Sequence, residues 1–186
     1  MAIAVSTERW TYERMTAELP AESRYELRDF HLLEMPSPKP KHQRVLLNLY
    51  DSVKPFIKSQ KLGEIFIAPL DVIFDEGNVA QPDLIFIANE NKQIIKESSI
   101  MGVPDVLVEV VSKGSVARDY IEKKNDFERF SVKEYWIIDS LNESIWVYSQ
   151  NTDNKFELYS YAEADETAKS KYFTDFSIAH DSIFDE

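Results

Sequence analysis

The chain has 186 residues, of which 44% are hydrophobic and 12% aromatic, so it is long enough to form one domain with a substantial core. It contains no cysteine, which excludes disulfides, thiolate metal ligands and cysteine nucleophiles and fits a reducing, cytoplasmic compartment. The formal net charge of −12 disfavours nucleic-acid binding, although a net charge does not describe how charges are distributed over a surface.

Local sequence features refine this picture at the termini and at two basic clusters. No run of about 18 apolar residues is present, so a membrane-spanning helix is not expected. Met1–Arg9 lacks a basic region followed by an apolar segment, so a signal peptide is not expected either. The basic clusters are Lys39, Lys41 and Arg44, and Lys113, Arg118, Lys123 and Lys124.

Hydrophobic periodicity predicts two helices and a hairpin in the first 60 residues. They are a helix over Tyr12–Leu19, a hairpin of Tyr25–Arg28 and His31–Met35, and a helix from His42 to about Gln60. Thr11 caps the first helix and Pro20 stops it. Pro55 predicts a kink in the long helix, or an earlier end than its apolar pattern suggests.

The rest of the chain predicts strands with intervening helices. The strands are Glu64–Ala68, Leu70–Phe74, Leu84–Ile87, Asp105–Val111, Glu134–Asp139, Ser144–Tyr148 and Phe156–Tyr159, and the helices are a short one within Asn89–Ser99 and one from about Ala117 to Phe130. This order predicts a single α/β domain with a mixed central β-sheet flanked by helices. We expect its core over about residues 24–150, while 151–186 adds C-terminal strands and an acidic tail that packs on the domain or serves a partner.

Three charged residues occupy positions that the pattern predicts to be buried. Asp83 directly precedes an apolar run, and Glu109 lies inside another. Lys123 falls on the helical stripe that also carries Tyr120 and Phe127. Each of them taken alone fits an ordinary structural role, as a strand start, an ion pair or a lysine that reaches past the core to solvent. Buried ionised groups are costly unless paired or metal-bound, so three together indicate a shared site.

The chemistry of such a set matches phosphodiester hydrolysis. Two carboxylates hold Mg²⁺ at roughly 2.0–2.1 Å and leave its other positions to water and phosphate. The ion polarises the phosphate and lowers the pKa of a bound water, while an ammonium stabilises the developing negative charge. Asp83, Glu109 and Lys123 therefore predict a metal-dependent phosphodiester site.

Six short motifs occur in an order that resembles a known family. They are Tyr25-Glu26-Leu27, a proline-rich connector before His42-Gln43, Gln81-Pro82-Asp83, Val108-Glu109-Val110-Val111-Ser112, Ala117-Arg118-Asp119 with Lys123, and Glu134-Tyr135-Trp136-Ile137-Ile138-Asp139. Together they resemble the Uma-two family of restriction-endonuclease-like proteins, within the PD-(D/E)XK nuclease superfamily. The resemblance extends over about Trp10–Tyr148.

The resemblance implies a restriction-endonuclease-like core with an N-terminal helix and hairpin, and a Mg²⁺-dependent (or Mn²⁺-dependent) DNA endonuclease. It makes Asp83 and Glu109 the metal-binding acids, the Val110 carbonyl a further ligand and Lys123 the catalytic lysine. One departure from the superfamily is visible. The usual lysine position, two residues after the second acid, holds Val111. Within the Uma-two pattern the following helix supplies the lysine, as Lys123 does here.

Four further residues are secondary candidates for the surroundings of the site. They are Glu26, His42, Gln43 and Asp71. Glu26 fits an additional acid or a surface hairpin residue, and His42 fits a site residue or a packing residue at a helix start. Gln43 fits a phosphate contact or a solvated side chain. Side chains alternate between the two faces of a strand, but this alternation does not decide which face of the sheet Asp71 occupies.

Two other functions remain open at this stage. The acidic charge and the displaced lysine fit a catalytically silent member of the fold that binds nucleic acid or a protein. Asp83 and Glu109 also fit a glycosidase acid/base pair, a reaction that needs no lysine. If the chain cuts both strands of DNA, a symmetric homodimer is expected, with the apolar strands near Trp146 and Tyr159 as its interface.

Overall fold

The structure, a computed structural model, describes residues 8–20 and 24–185. In that part of the chain the α-helices are α1 (Tyr12–Glu18), α2 (Pro40–Gln60), α3 (Lys124–Arg129) and α4 (Asp181–Phe184). A 3₁₀-helix covers Asn89–Ile94, and a π-helical segment, Arg118–Lys123, leads directly into α3. The strands are β1 (Tyr25–Arg28), β2 (His31–Glu34), β3 (Gly63–Ile67), β4 (Val72–Asp75), β5 (Asn78–Ala80), β6 (Leu84–Ala88), β7 (Ile100–Met101), β8 (Val106–Val111), β9 (Glu134–Asp139), β10 (Ser144–Gln150), β11 (Phe156–Glu163), β12 (Thr167–Lys169) and β13 (Ser177–Ala179).

The strands form two main sheets and a small pair. The six-stranded sheet has the order β11-β10-β9-β8-β6-β3. It is mixed, because β8 and β9 are parallel while every other pair of adjacent strands in it is antiparallel. The five-stranded sheet has the order β2-β1-β5-β4-β7, and β12 pairs with β13. The predicted mixed α/β fold is confirmed, and the structure adds that the N-terminal hairpin belongs to a second sheet.

Both faces of the six-stranded sheet are buried, as its uninterrupted apolar strands predict. Val108 and Val110 of β8 face one cluster, which includes the buried side of α2 and the C-terminal segment. Leu107 and Val111 face the opposite cluster, which includes residues of the five-stranded sheet and Phe127 of α3. Alternation along β8 therefore sends the Glu109 side chain towards the second sheet and α3.

The predicted N-terminal elements are present. The Thr11 side chain accepts a hydrogen bond from the Arg14 backbone N–H at 3.2 Å, which caps α1. The hairpin turns at Asp29 and Phe30, whose φ angles of 47° and 65° are those of a tight type I′ connection. The earlier end of the long helix that Pro55 allowed does not occur, since α2 continues to Gln60.

The helix predicted from Ala117 to Phe130 has two parts, a π-helical segment (Arg118–Lys123) followed by the α-helix α3 (Lys124–Arg129). Asp119 and Lys123 both lie on the buried side, with relative exposures of 1% and 6%. Lys123 and Phe127 are buried as the sequence predicts, and Asp119, four residues before Lys123, is buried with them. Such local widening of a helix is frequent at functional sites.

The C-terminal segment packs on the domain. Phe173, Phe176, Ile178 and Ile183 are buried in the cluster that contains α2. The sequence left open whether the tail packs on the domain or serves a partner, and the structure shows that it packs on the domain. None of the helices in the described ranges has the length and apolar character needed to cross a membrane.

Candidate active site

Asp83 lies where one edge of β8 loses its strand partner. The β6–β8 pairing ends at Leu84 opposite Val108, and the Asp83 carboxylate continues it by accepting the Val110 N–H at 2.8 Å on Oδ2. In an antiparallel pair the N–H and C=O of one residue face the same neighbour. The Val110 carbonyl thus lies on the edge of β8 that faces Asp83, as its predicted role as a ligand requires.

Lys123 connects Glu109 with Glu26. Its Nζ donates to Glu109 Oε1 at 2.6 Å and to Glu26 Oε1 at 2.8 Å. All three side chains are buried, with relative exposures of 6%, 4% and 4%. Glu109 comes from β8, Lys123 from the π-helical segment and Glu26 from the hairpin, so three elements supply one charge cluster. A glycosidase acid/base pair needs no lysine, so the direct contact of Lys123 with Glu109 does not favour that alternative.

His42 joins the site from the first turn of α2. Its Nε2–H donates to Asp83 Oδ2 at 3.0 Å, and the residue is 8% exposed. The proline-rich segment before α2 and Pro40 at its start place the helix N-terminus beside Asp83. His42 therefore fixes the orientation of the Asp83 carboxylate together with the Val110 N–H.

Acidic groups outnumber permanent cations in this cluster. The acids are Glu26, Asp83, Glu109 and Asp119, and the cations are Arg118 and Lys123. Burial raises the pKa of Glu109, and the carboxylates of Asp83, Asp119 and Glu26 raise it further, more than Lys123 lowers it.

The other two members of the ion cluster stay charged. Burial raises the pKa of Glu26, but Lys123 and Arg118 lower it more, and its net pKa lies below the ordinary value. Burial lowers the pKa of Lys123, but Glu109 and Glu26 raise it well above the ordinary value of a lysine. Lys123 is therefore a hydrogen-bond donor and cation at neutral pH, and it cannot serve as a general base.

The chemistry of the donor set fits a hard divalent cation. The contacts described above use Oδ2 of Asp83 and Oε1 of Glu109, and the second oxygen of each carboxylate is the candidate ligand. A divalent ion would also offset the excess negative charge of the cluster. Within the described residues no group of three or more His, Cys, Asp or Glu side chains has a metal-binding arrangement. A set of two carboxylates and a carbonyl is consistent with Mg²⁺, which keeps several of its waters.

A cavity of about 290 Å³ opens above these groups. Asp83, Glu109 and Lys123 line it, together with the carboxylate of Asp119. Its lining also includes the basic side chains of Arg24, Lys39, Lys113 and Arg118. A chain with net charge −12 thus brings basic and acidic groups together around one cavity.

The remaining candidates lie apart from this cavity. Gln43 is exposed on α2 and is not among the residues that line it. Asp71 lines a different cavity and connects to the site only through Gln81, whose side chain donates to Asp71 Oδ1 at 2.9 Å. Gln81 also donates its backbone N–H to Glu26 Oε1 at 2.9 Å.

Two residues of the site were not among the sequence candidates, although their motif was recognised. Arg118 and Asp119 both line the cavity, and one oxygen of Asp119 is buried without a hydrogen-bond partner in the described part of the chain. Asp119 precedes Lys123 by one helical turn, so the i, i+4 spacing of an acid and a lysine was the available signal.

Comparisons with known proteins agree with this arrangement. The chain belongs to the Uma2 (Uma-two) family, described as "Putative restriction endonuclease", whose family model matches residues 10–181.

Its fold is also similar to that of a solved protein from Anabaena variabilis, titled a putative nuclease belonging to DUF820. The TM-score is 0.76 at 16% identity, over 94% of this chain and 97% of the other. At that identity the likeness shows the fold alone. No significant match was found among curated proteins.

Proposed function

We propose that this protein is a Mg²⁺-dependent (or Mn²⁺-dependent) endonuclease that hydrolyses phosphodiester bonds in DNA. The observation that carries the proposal is the placement of Lys123 Nζ at 2.6 Å from Glu109 Oε1, in the cavity that Asp83 also lines. A buried lysine and two acids at the end of a β-sheet are the groups that metal-assisted phosphodiester hydrolysis needs.

Each residue has a distinct role in this proposal. Asp83, Glu109 and the Val110 carbonyl hold the cation, and a bound Mg²⁺ supplies charge for the phosphate oxygens and a lowered pKa for a coordinated water. The Lys123 ammonium donates hydrogen bonds to the attacking water or to the negative charge that develops on phosphate. Glu26 holds Lys123 from the opposite side, and His42 holds Asp83.

The overall reaction balances without a further co-reactant. A water oxygen forms a bond to phosphorus, the bond from phosphorus to the leaving sugar oxygen breaks, and that oxygen takes up a proton. Since Lys123 is protonated and hydrogen-bonded to two carboxylates, it acts by charge and orientation.

The basic residues in the lining of the cavity support a polyanionic substrate. Arg24, Lys39 and Lys113 line the same cavity as the acids and are placed to contact phosphates on either side of the bond that is cut. The acidic remainder of the surface repels DNA, which confines productive contact to this cavity.

The catalytic assignment is tested by cleavage of supercoiled plasmid with Mg²⁺ or Mn²⁺. We expect Lys123→Ala to reduce the cleavage rate by at least about 100-fold, the order of magnitude for loss of one preorganised charge donor. Lys124→Ala is the matched control, because Lys124 lies one position further round the helix, over the Tyr148 ring. Equal rates for the wild type and Lys123→Ala would remove Lys123 from the mechanism.

A catalytically silent binding module is the alternative, and the closed contacts of Lys123 with both glutamates favour it. Calorimetric titration with Mn²⁺ distinguishes the endonuclease from the silent binding module. The endonuclease proposal expects binding that is lost in Asp83→Asn and in Glu109→Gln. Binding that is absent, or indifferent to both substitutions, would support the silent module.

For cutting both strands, we propose a symmetric homodimer. The edge strand β11 exposes Leu158, Tyr159 and Tyr161. Large apolar groups on a sheet edge are suited to pairing with a second copy. Sedimentation of the wild type and of Tyr159→Glu tests this arrangement.

A further inference from the structure

A second cavity lies directly behind the wall of the catalytic one. Its volume is about 300 Å³, and Tyr12, Tyr25, Asp71, Gln81 and Ser98 are among the residues that line it. Gln81 is common to the two cavities. The proposed catalytic roles use neither Asp71 nor the Gln81 side chain. The polar groups of this cavity are therefore available to bind something other than the reacting phosphate.

The charged residue in the lining of the second cavity is Asp71, whose carboxylate accepts hydrogen bonds. Gln81 Nε2 donates to Asp71 Oδ1 at 2.9 Å, and the Tyr12 hydroxyl bonds to the same carboxylate. An ionised carboxylate has about four acceptor positions, so these two donors do not saturate it. Gln81 Oε1 is buried and has no hydrogen-bond partner among the described residues. A buried acceptor without a donor is costly.

The side walls are aromatic and apolar. Tyr12 and Tyr25 contribute rings, and Met15 and Leu19 of the α1 region complete the apolar lining. A flat ring system suits such walls, because unstacked bases are commonly bound against aromatic side chains. The preferred ligand is therefore a planar heterocycle with N–H donors along one edge.

Among the nucleobases, guanine fits this requirement best. Its Watson–Crick edge presents N1–H and the N2 amino group side by side, and a carboxylate can accept from both. Adenine and cytosine each pair one amino group with an acceptor nitrogen, which would face the carboxylate unfavourably. Thymine places a carbonyl on each side of its single N–H.

The position of the cavity relative to the acids allows one strand to occupy both. Gln81 precedes Asp83 by two residues, an extended distance of about 7 Å. Taking a base out of the stack into a pocket costs a few kcal/mol, and least where the strand is already single.

We propose that the second cavity binds an unstacked guanine of the substrate strand, read by Asp71 and Gln81. The location of that guanine next to the bond that is cut rests on the proposed nuclease function. The recognition of the base itself is independent of catalysis and can be measured without cleavage.

The test compares short oligonucleotides that differ in one base. Hexamers of thymidine with a single internal guanine, hypoxanthine or adenine are titrated into the wild-type protein in EDTA at low salt, with fluorescence anisotropy as the readout. Hypoxanthine keeps N1–H but lacks the amino group, so this comparison leaves the protein unaltered. We expect the guanine hexamer to bind about tenfold tighter than the hypoxanthine hexamer, because one hydrogen bond to a charged group is lost. The adenine hexamer should bind more weakly still.

A matched pair of variants assigns the preference to the cavity. Asp71→Asn should reduce the preference for guanine at least about fivefold, since an amide accepts at one atom only. Asp51→Asn, at an exposed position of α2, should leave it unchanged. Equal affinities for the three hexamers, no binding of any of them up to millimolar concentration, or a guanine preference that survives in folded Asp71→Asn would each overturn the proposal.

The outcomes also separate this inference from the nuclease proposal. A guanine preference in a protein that cuts no plasmid would retain the base site and refute the endonuclease. Cleavage that requires Lys123 but shows no base preference would retain the endonuclease and refute the base site.

Discussion

At the residue scale, the pKa of a buried ionisable group depends on its charged neighbours as well as on burial. Lys123 and Glu26 keep their charges because each faces an opposite charge within hydrogen-bond distance. Burial and three other acids raise the pKa of Glu109 more than its one ammonium lowers it. The sequence indicated that Glu109 and Lys123 are buried, but it did not show that Glu26 would share the lysine.

His180 is a buried titratable residue outside the candidate site, and its contacts predict a pH-dependent stability. Its Nδ1 lies 2.9 Å from Asp181 Oδ1 and its Nε2 lies 2.8 Å from the Glu143 carbonyl, so both nitrogens face acceptors. Burial lowers the pKa of His180, but these two hydrogen bonds raise it more, and the net pKa exceeds the ordinary value of 6.5. A ring with two acceptors is stabilised in its doubly protonated form.

Because the folded pKa is raised, the stabilisation is complete below about pH 6.5 and disappears as the pH rises through the folded pKa. We expect His180→Gln to lower the Tm more at about pH 6 than at about pH 9. Exposed His31→Gln is the control and should change the Tm little at either pH. An equal loss at both pH values for His180→Gln would contradict the charge assignment. Thermal unfolding followed by circular dichroism provides the measurement.

At the element scale, two elements carry the site in ways that periodicity could not specify. The α2 helix was predictable from its apolar stripe, but its contact with Asp83 depends on the packing of its first turn. The helix after β8 was predictable too, although its π-helical start was not. The π-helical widening depends on the tertiary partners of Asp119 and Lys123, because helical periodicity alone assumes 3.6 residues per turn.

The C-terminal segment is the other element whose role only packing reveals, and Phe176 provides its test. The Phe176 ring lies 5.1 Å from that of Phe56 in α2 and 6.3 Å from that of Trp136 in β9. We expect Phe176→Ala to reduce the free energy of unfolding by about 3–5 kcal/mol. Leu47→Ala, at a residue of α2 that is 49% exposed, should change it by less than about 1 kcal/mol.

Urea unfolding measures both substitutions, with unchanged m-values as the condition for comparing midpoints. Similar small losses for Phe176→Ala and Leu47→Ala would show that the tail contributes little to the core. That outcome would also reopen the possibility that it serves a partner.

At the scale of the whole molecule, the distribution of charge matters more than its sum. The net charge of −12 disfavoured a DNA-binding role when read from composition. The fold gathers Arg24, Lys39, Lys113 and Arg118 around one cavity, although they are distant in sequence. A polyanion therefore meets a local positive surface on an acidic protein.

This distribution predicts the salt dependence of DNA binding. Lys39→Ala and Lys113→Ala should each weaken binding to any DNA sequence and reduce the slope of log K against log salt by about 1. Lys58→Ala is the control, because Lys58 is exposed on α2 about 24 Å from His42 along the helix axis. An equal effect of all three substitutions would place DNA elsewhere on the surface.

The sequence by itself determined the long helix, the strands of the six-stranded sheet, the mixed α/β class and the burial of Asp83, Glu109 and Lys123, because periodicity and the cost of isolated charge act locally along the chain. It did not indicate the short strands β5, β7, β12 and β13 or the helix α4. Only the tertiary structure decided which side chains meet. Glu26 and His42 entered the cluster, Gln43 stayed exposed and Asp71 turned towards a second cavity. Contacts between residues far apart in sequence depend on how sheets and helices pack, and no local pattern encodes that arrangement.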